Sequence, residues 1–436
     1  MGLVASFGDL LQELSRVMTR PTFVSFVLVV TGWVFAHRRT VTGMILAAEA
    51  VGAKHHSAFH RVFAAARWSR DELGLAVFQL IRKWQGDSIV MLGVDDTLAR
   101  KGGRKIFGVG MHHDPLLSSR KTAVMNWGHS WVVVGVIVRL PCCPQRSFCL
   151  PILFRLYINR QTATRQGWVY RTRPELAVQM LQMLCHRHEE GHFHVVADST
   201  YGGQSVLKHL PANCELTSRL LLDARLYELP PQREEGARGR PRKRGARLPS
   251  PRQMLAGRRR EVRVDLYGRR EHSRVAECAA CLYSLPGRPL RVVAVDPLGG
   301  GRRKQAFYST CSQACAEQVL SWYGMRWSME QTFQESKGYL GFEEPQGWTR
   351  QAVERTAPMA MVLYSLIVLW FGVVGHREYH PPYRPWYRTK RAPSFSDMLS
   401  TLRRESIRGG LFSQGLWGPG RQKWVQTLLH AYQDAA

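Results

Sequence analysis

Negative charge is scarce in this chain. Lysines and arginines number 61 against 33 aspartates and glutamates, leaving a formal net charge of +28 over 436 residues. An excess of that size repels itself in a compact fold and attracts polyanions, of which nucleic acid and anionic membrane surfaces are the usual ones. The membrane finds little support near the N-terminus. Phe23–Ala36 is almost unbroken apolar sequence, but at about 14 residues it falls short of the roughly 20 needed to span a bilayer, so a buried core helix is expected there. Cysteine is no framework either. There are nine, an odd number, and no cleavable signal peptide follows Met1. A reducing cytoplasm is expected rather than a secreted disulfide scaffold. What is plentiful is apolar sequence, 45% of the total, enough for a sizeable core and for two to four structural units. There are no internal repeats.

Residues 1–88 carry few strand signals and read as helical. Thr40–Val51 and His56–Trp68 show helical spacing on either side of a Gly-Ala-Lys turn at Gly52. That pattern suits a helix-turn-helix DNA reader and an ordinary helical hairpin equally well. Beyond Gly86 the character changes. Ser88–Val94, Trp131–Val138, Pro151–Ile158 and His192–Ala197 are short runs rich in Val and Ile that read as buried strands, with a helix expected at Pro174–Arg187. Strands alternating with helices indicate an α/β core. Arg233–Arg260 is dense in Arg, Gly and Pro and is expected to be a mobile basic linker. Within it Arg238-Gly239-Arg240-Pro241, followed by Arg242, resembles an AT-hook, although a solvated linker touching phosphate has the same composition. Strand patterns return at Glu261–Leu266, Arg274–Leu285, Leu290–Val295 and Gln305–Thr310. Helical periodicity follows at Ala314–Lys337 and again at Ala357–Val374.

Two acids fall where strands end: Asp95 in VDDTLARKGG and Asp198 in VVADSTYGG. The C-terminal rim of an open sheet is where ligands bind. Two carboxylates converging there need a cation, and hard oxygen donors suit Mg²⁺ or Mn²⁺. Farther on, Tyr323, Arg326, Glu330 and Lys337 are spaced by three, four and seven residues, which places them along one face of a helix. Trp327, Met329 and Phe333 supply its packed side. The polar set suits a phosphate-and-metal site, with Glu330 on metal, Arg326 and Lys337 on phosphate oxygens and Tyr323 as a hydrogen-bond donor.

The pattern Y-x2-R-x3-E-x6-K resembles the YREK signature of bacterial insertion-sequence DDE transposases of the insertion sequence four-like group. Asp95-Asp96-Thr97 is similar to that family's D-x-T element, and Asp198-Ser199-Thr200-Tyr201 to its D-x-x-Y element. The resemblance spans roughly residues 20–410. It implies an RNase H-like catalytic core interrupted by a β-rich insertion, with helical regions before and after. The corresponding segments are a DNA-binding region at 1–88, core at 89–222, insertion at 223–312 with the basic linker at 233–260, core again at 313–350, and a C-terminal helical region at 351–436. It also implies two divalent cations per active site, held by Asp95, Asp198 and Glu330. Either aspartate of the Asp95-Asp96 pair could be the first ligand, and the D-x-T register favours Asp95. Lys101, Arg104 and Lys105 would neutralise DNA phosphate or sit in a solvated turn. The implied partners are transposon-end inverted repeats and target DNA, bound by a homodimer on paired ends, with no membrane. The implied place is the bacterial cytoplasm, on the nucleoid when bound to DNA. Intact acids favour an active enzyme over a derivative that only occupies DNA; a nuclease without strand transfer is the other alternative. Some relatives seat a base on a tryptophan of the insertion, but no Trp lies between Trp168 and Trp322, which leaves Tyr283, Phe307 and Tyr308 as aromatic substitutes.

Other constellations are weaker. His188-Glu189-Glu190-Gly191-His192 spells H-E-x-x-H, yet Gly191 is expected to end the helix that zinc binding would require. Cys278 and Cys281 have zinc-like spacing but fall in an expected strand, where positions three apart face opposite sides; Cys311 and Cys315 are spaced similarly. His112, His113 and Asp114 form a further polar cluster.

Overall fold

The computed structural model describes residues 2–86, 89–119, 121–231, 242–266, 269–298, 303–381 and 392–412. Five helices come first: α1 (Ala5–Gln12), α2 (Arg20–Phe35), α3 (Val41–Ala47), α4 (His56–Ala64) and α5 (Arg70–Gln85). Four strands follow, β1 (Val90–Arg100), β2 (Gly110–His113), β3 (Met125–Leu140) and β4 (Cys143–Tyr157), with β3 antiparallel to both β2 and β4. Then come α6 (Arg160–Gln166), α7 (Arg173–Arg187), β5 (Phe193–Ala197), α8 (Gln204–Leu207) and β6 (Cys214–Leu220). The β-rich block contains β7 (Leu226–Tyr227), β8 (Arg247–Leu248), α9 (Pro251–Met254), β9 (Arg260–Leu266), β10 (Arg269–Leu282), β11 (Leu285–Pro297) and β12 (Gln305–Ser309). The chain continues through α10 (Ala316–Met325), α11 (Trp327–Leu340), α12 (Arg350–Val373) and α13 (Phe395–Phe412). The architecture is mixed α/β with a large mixed sheet and many helices, consistent with a DDE nuclease fold.

Two compact units divide the chain. The first comprises Met1–Gly86, Asp96–Tyr170 and Gln331–Ala436; the second comprises Asp87–Asp95 and Arg171–Glu330. The boundaries fall inside β1, after Asp95, and inside α11, after Glu330.

In the first unit, the long hairpin β3–β4 is a slab of Val, Ile, Leu and Phe buried along most of its length. Helices α5 and α12 pack on β4. Helix α5 is held at its start by Ser69, whose side chain accepts from the Glu72 amide, with Asp71 and Glu72 in the first turn where the helix dipole favours negative charge. Asp71 also takes a two-pronged bond from Arg155 on β4, at 2.7 and 3.0 Å. Helix α12 is apolar on every side. It is the one helix among the described residues long and apolar enough to cross a membrane, and 94% of its apolar window is buried inside the protein. Its Arg355 donates to the carbonyls of Phe63, Ala66 and Trp68, closing the C-terminal end of α4. Helix α2 matches the expected core helix, with Phe26, Val30 and Trp33 fully buried.

The second unit is a sheet in the order β1-β5-β6-β12-β11-β10-β7-β8, with β9 also on β10. Strands β1, β5 and β6 run parallel, and the rest are antiparallel. Helix α10 covers β9, β5, β6 and β12 over a core that includes Val262, Val293, Phe307, Val319, Leu320 and Tyr323. A buried polar chain crosses three strands: the His194 ring meets the Thr217 hydroxyl at 2.8 Å, which donates to the Ser309 hydroxyl at 3.0 Å. Burial lowers the His194 pKa to about 4, which keeps the ring neutral.

Several expectations are corrected. Helices α3 and α4 are shorter than Thr40–Val51 and His56–Trp68, because Glu49 turns left-handed at φ 55° and ends the first of them early. The stretch read as a mobile linker contains β8 and α9. Ser250 and Gln253 form a reciprocal cap on α9, and Pro251 and Leu255 are buried. Arg240 and the AT-hook-like tripeptide lie outside the described residues; Arg242 is exposed. Phe307 and Tyr308 are core residues of β12, flanked by β6 and β11, and only Tyr283 of the three aromatic alternatives is exposed. The helix expected over Ala314–Lys337 is two helices meeting at Arg326.

Helix α5 approaches β4 very closely at Gly74. A methyl group there would lie 1.8 Å from the Ile152 carbonyl oxygen of β4. Gly74→Ala should therefore force the helix off the strand at a cost of about 1–3 kcal/mol, seen as a lower urea midpoint. An unchanged midpoint would show that the packing of α5 on β4 is softer than described.

Candidate active site

Strands β1 and β5 pair in parallel register, Val90 with Phe193 through Val94 with Ala197. The next residue on each strand is an acid, Asp95 and Asp198. Adjacent strands lie about 4.8 Å apart, so the two carboxylates stand side by side where the parallel pairing stops: Asp198 just past the end of β5, and Asp95 inside β1, which was expected to end there but runs on to Arg100. Asp96 follows Asp95 along β1, and side-chain alternation turns it to the other face.

The Asp198 end is held by its own turn. One carboxylate oxygen accepts from the amides of Thr200 and Tyr201 at 2.9 and 3.3 Å, and the other accepts from the Thr200 hydroxyl at 3.2 Å. Tyr201 is buried beneath. Two residues fix the backbone of this turn: Ser218, not singled out from sequence, and Tyr308, expected there only as an aromatic face for a base. The Ser218 hydroxyl of β6 donates to the Asp198 carbonyl at 2.8 Å, and the Tyr308 phenol of β12 donates to the Gly202 carbonyl. At Gly202 a methyl group would sit 2.1 Å from the Ser218 oxygen, so glycine is needed for the turn to lie this close to β6.

Asp95 and Glu330 are joined by one guanidinium. Arg326 donates to Asp95 at 2.9 Å and to Glu330 at 2.6 Å. Arg326 and Asp95 are largely buried, with side chains 12% and 16% exposed, whereas Glu330 is 37% exposed. Burial alone would lower the Arg326 pKa, but Asp95, Tyr323 and Glu330 outweigh it and raise it, so the cation is fixed. The Arg326 guanidinium also lies 5.7 Å from the Tyr323 ring, and that ring packs against Phe307 at 4.6 Å. Burial raises the Tyr323 pKa and the nearby Asp198 charge adds to this, while Arg326 opposes it. The phenol is therefore a hydrogen-bond donor at neutral pH. The helix tightens at Arg326, whose amide bonds to Tyr323 three residues back. Tyr323, Arg326 and Glu330 nonetheless stay together.

The other sequence candidates have their own surroundings. Lys337 donates to the Leu98 carbonyl at 2.6 Å and pairs with Glu343 at 3.5 Å. Lys101 donates to the carbonyls of Glu343 and Pro345, and burial lowers its pKa to about 8 against the pull of Glu343 and Glu344. Lys105 is exposed. His113 is exposed on β2 and His112 is buried against Tyr157. Asp114 is buried and accepts from Arg100 and Asn126 at 2.9 and 2.7 Å. The H-E-x-x-H sequence is divided: α7 ends at Arg187, and His192 leads into β5. Cys278 faces Met254, and Cys281 faces the Glu228 carbonyl.

A family model described as DDE superfamily endonuclease matches residues 12–272, more than half of the chain. The chain belongs to this superfamily. The match takes in Asp95 and Asp198 and ends before Glu330. No curated protein matches the chain. A DDE superfamily endonuclease domain suggests a nuclease- or transposase-type activity with DNA as substrate, and such endonucleases generally use divalent metals. Among the described residues, no three acidic, histidine or cysteine side chains already cluster as a metal cage. The donors fit a hard cation in kind, since Asp95, Asp198 and Glu330 offer only carboxylate oxygens. Arg326 supplies the positive charge between Asp95 and Glu330 in the arrangement seen.

Two outcomes are expected. Arg326→Gln should leave Asp95 and Glu330 without their shared counter-charge and cost about 3 kcal/mol of stability in the absence of divalent metal; a thermal melt as high as that of the parent protein would contradict the bridge. Lys101 holds fewer protons folded than unfolded between pH 8 and 10.5, so its contribution to stability rises with pH across that window. The stability difference between the parent protein and Lys101→Met should shift toward the parent from pH 8 to 10.5, and a flat difference would contradict the burial of this amine.

Proposed function

We propose that the protein is a DNA transposase of the insertion-sequence type, cutting at transposon-end inverted repeats and joining the freed ends to target DNA. The observation that carries this reading is the placement of Asp95 and Asp198 next to each other, each directly after the parallel register of β1 with β5, together with the Arg326 bridge from Asp95 to Glu330. These acids come from three separate parts of the sequence, in the order that an RNase H-like DDE core requires. The tyrosine–arginine–glutamate–lysine spacing narrows the reading to the group with the YREK signature.

Asp95, Asp198 and Glu330 would hold two Mg²⁺ or Mn²⁺ ions, which when bound polarise the attacking and leaving oxygens of an in-line displacement at phosphorus. Ser218 and Tyr308 keep the Asp198 turn in place, so its carboxylate arrives preorganised. Arg326 offers a fixed guanidinium beside the acids and is suited to steadying a phosphate oxygen. The neutral Tyr323 phenol is a donor to the same phosphate. The net charge of +28 draws the DNA in and makes binding strongly salt-dependent. Paired ends call for two copies of the chain, acting on the nucleoid in the cytoplasm.

Labelled duplex carrying the inverted repeats that flank the gene, incubated with Mg²⁺, should be nicked and joined to target. Glu330→Gln and Asp198→Asn should each lose cleavage by about 10³-fold or more while still binding the duplex. Cleavage that survives Glu330→Gln would refute the assignment. Cleavage without joining would make the protein a nuclease instead.

A further inference from the structure

A cleft of about 330 Å³ lies wholly within the first unit. It is built from three short segments: residues 104–109 ahead of β2, the end of α6 with the turn after it, and the entry to α12. Four cations line it, Arg104, Lys105, Arg165 and Arg350, together with the rings of Phe107, Trp168 and Trp348. Among the described residues only Arg350 of these four has a carboxylate partner, Glu354 one helical turn on at 3.4 Å. Arg104, Lys105 and Arg165 stand exposed with nothing of opposite sign beside them. Uncompensated positive charges held this close repel one another, which is tolerated where an anion is bound.

The aromatic side is equally unusual. Trp348 is 68% exposed, a large apolar face left in water. The Phe107 and Trp168 rings lie 4.7 Å apart at a tilt of 40°, and the Arg350 guanidinium lies 5.5 Å from the Phe107 ring. These rings are held in place. The Phe107 amide donates to the Trp348 carbonyl at 2.9 Å, the His129 ring donates to the Phe107 carbonyl at 2.8 Å, and the Trp168 amide donates to the Ala163 carbonyl at 2.9 Å. Burial lowers the His129 pKa to about 4, so its ring is a neutral donor there. A preformed groove of arginines beside an open indole has the chemistry of single-strand recognition, in which phosphates take guanidinium forks and bases take aromatic faces. At about 330 Å³ the cleft stands at the small end of ligand sites, room for a nucleotide and not for a duplex.

We infer that this cleft receives an unpaired DNA nucleotide, its base stacked on Trp348 and its phosphates on Arg104, Lys105 and Arg165. The inference rests on the DNA reading above, and it adds a preference for strand ends or gaps over intact duplex. A base inside a duplex has both faces covered by its neighbours and offers Trp348 nothing.

The test is fluorescence anisotropy of the full chain with one labelled duplex in two forms, blunt and with a three-nucleotide single-stranded overhang. The overhang form should bind roughly 5- to 100-fold tighter, the range for one stacked base. Trp348→Ala should bring the two forms to parity by weakening the overhang form alone, and Trp348→Phe should keep most of the preference. Arg104→Ala with Arg165→Ala should weaken overhang binding and reduce its salt dependence by about two phosphate contacts. All of these side chains are exposed, so thermal melts should match the parent. A parent protein without the preference, or a Trp348→Ala variant that keeps it, overturns the cleft assignment while leaving the DNA reading intact. Failure to bind either duplex overturns both.

Discussion

Asp95 and Glu330 approach one another because Arg326 stands between them. Asp95 and Arg326 are 231 residues apart in the chain, and each is delivered by an element that cannot easily move. Asp95 is fixed by five register pairs between β1 and β5. Arg326 is fixed by the helix junction and by Tyr323, which packs into the core under α10. Two carboxylates in a half-buried place repel by several kcal/mol when the effective dielectric constant is low. The guanidinium turns that repulsion into two charge-assisted hydrogen bonds. The β-rich block does its part from behind, since Phe307 and Tyr308 of β12 pack the ring of Tyr323 and hold the Asp198 turn.

Much of this was legible in the sequence, for identifiable reasons. Runs of Val and Ile fixed the positions of β3, β4 and β5, and Asp95 and Asp198 stood out because apolar runs led up to them, although β1 continues past Asp95 to Arg100. The spacing of Tyr323, Arg326 and Glu330 gave their common face. What could not be read was tertiary. Arg326 was expected on phosphate, but spacing cannot show that Asp95 arrives on its other side. Ser218 and Tyr308 carry no local signal, because each matters only through the carbonyl it happens to face. Arg- and Gly-rich composition between 233 and 260 masked the capped helix α9. Its Ser250-Pro251-Arg252-Gln253 sequence does contain the cap signal. Phe307 and Tyr308 were available as surface aromatics only while the neighbours of β12 were undetermined.

The basic residues sort themselves by what lies within reach. Lys101 and Lys337 are directed inward to backbone carbonyls, and Arg355 closes a helix end. These cations are structural, and composition cannot distinguish them from cations that meet a partner. Arg104, Lys105 and Arg165 lie on short loops and a helix end where no carboxylate is within reach among the described residues. A net charge of +28 thus overstates the positive surface available to a polyanion, and the available part is concentrated where aromatic rings accompany it.

Helix α12 has a bearing on how the chain is made. Arg355 and the Ala66 carbonyl that it closes are 289 residues apart, and the apolar faces of α4, α5 and β4 all rest on this one helix. Every segment of the second unit, by contrast, has been synthesised once residue 330 has emerged. The second unit can therefore complete its core on the ribosome while the first is still waiting for its central helix. Until that helix arrives, the earliest-made helices expose apolar surface to whatever else is in the cell. The earliest-made helices therefore depend for their cover on Arg350–Val373, the last long apolar stretch of the chain.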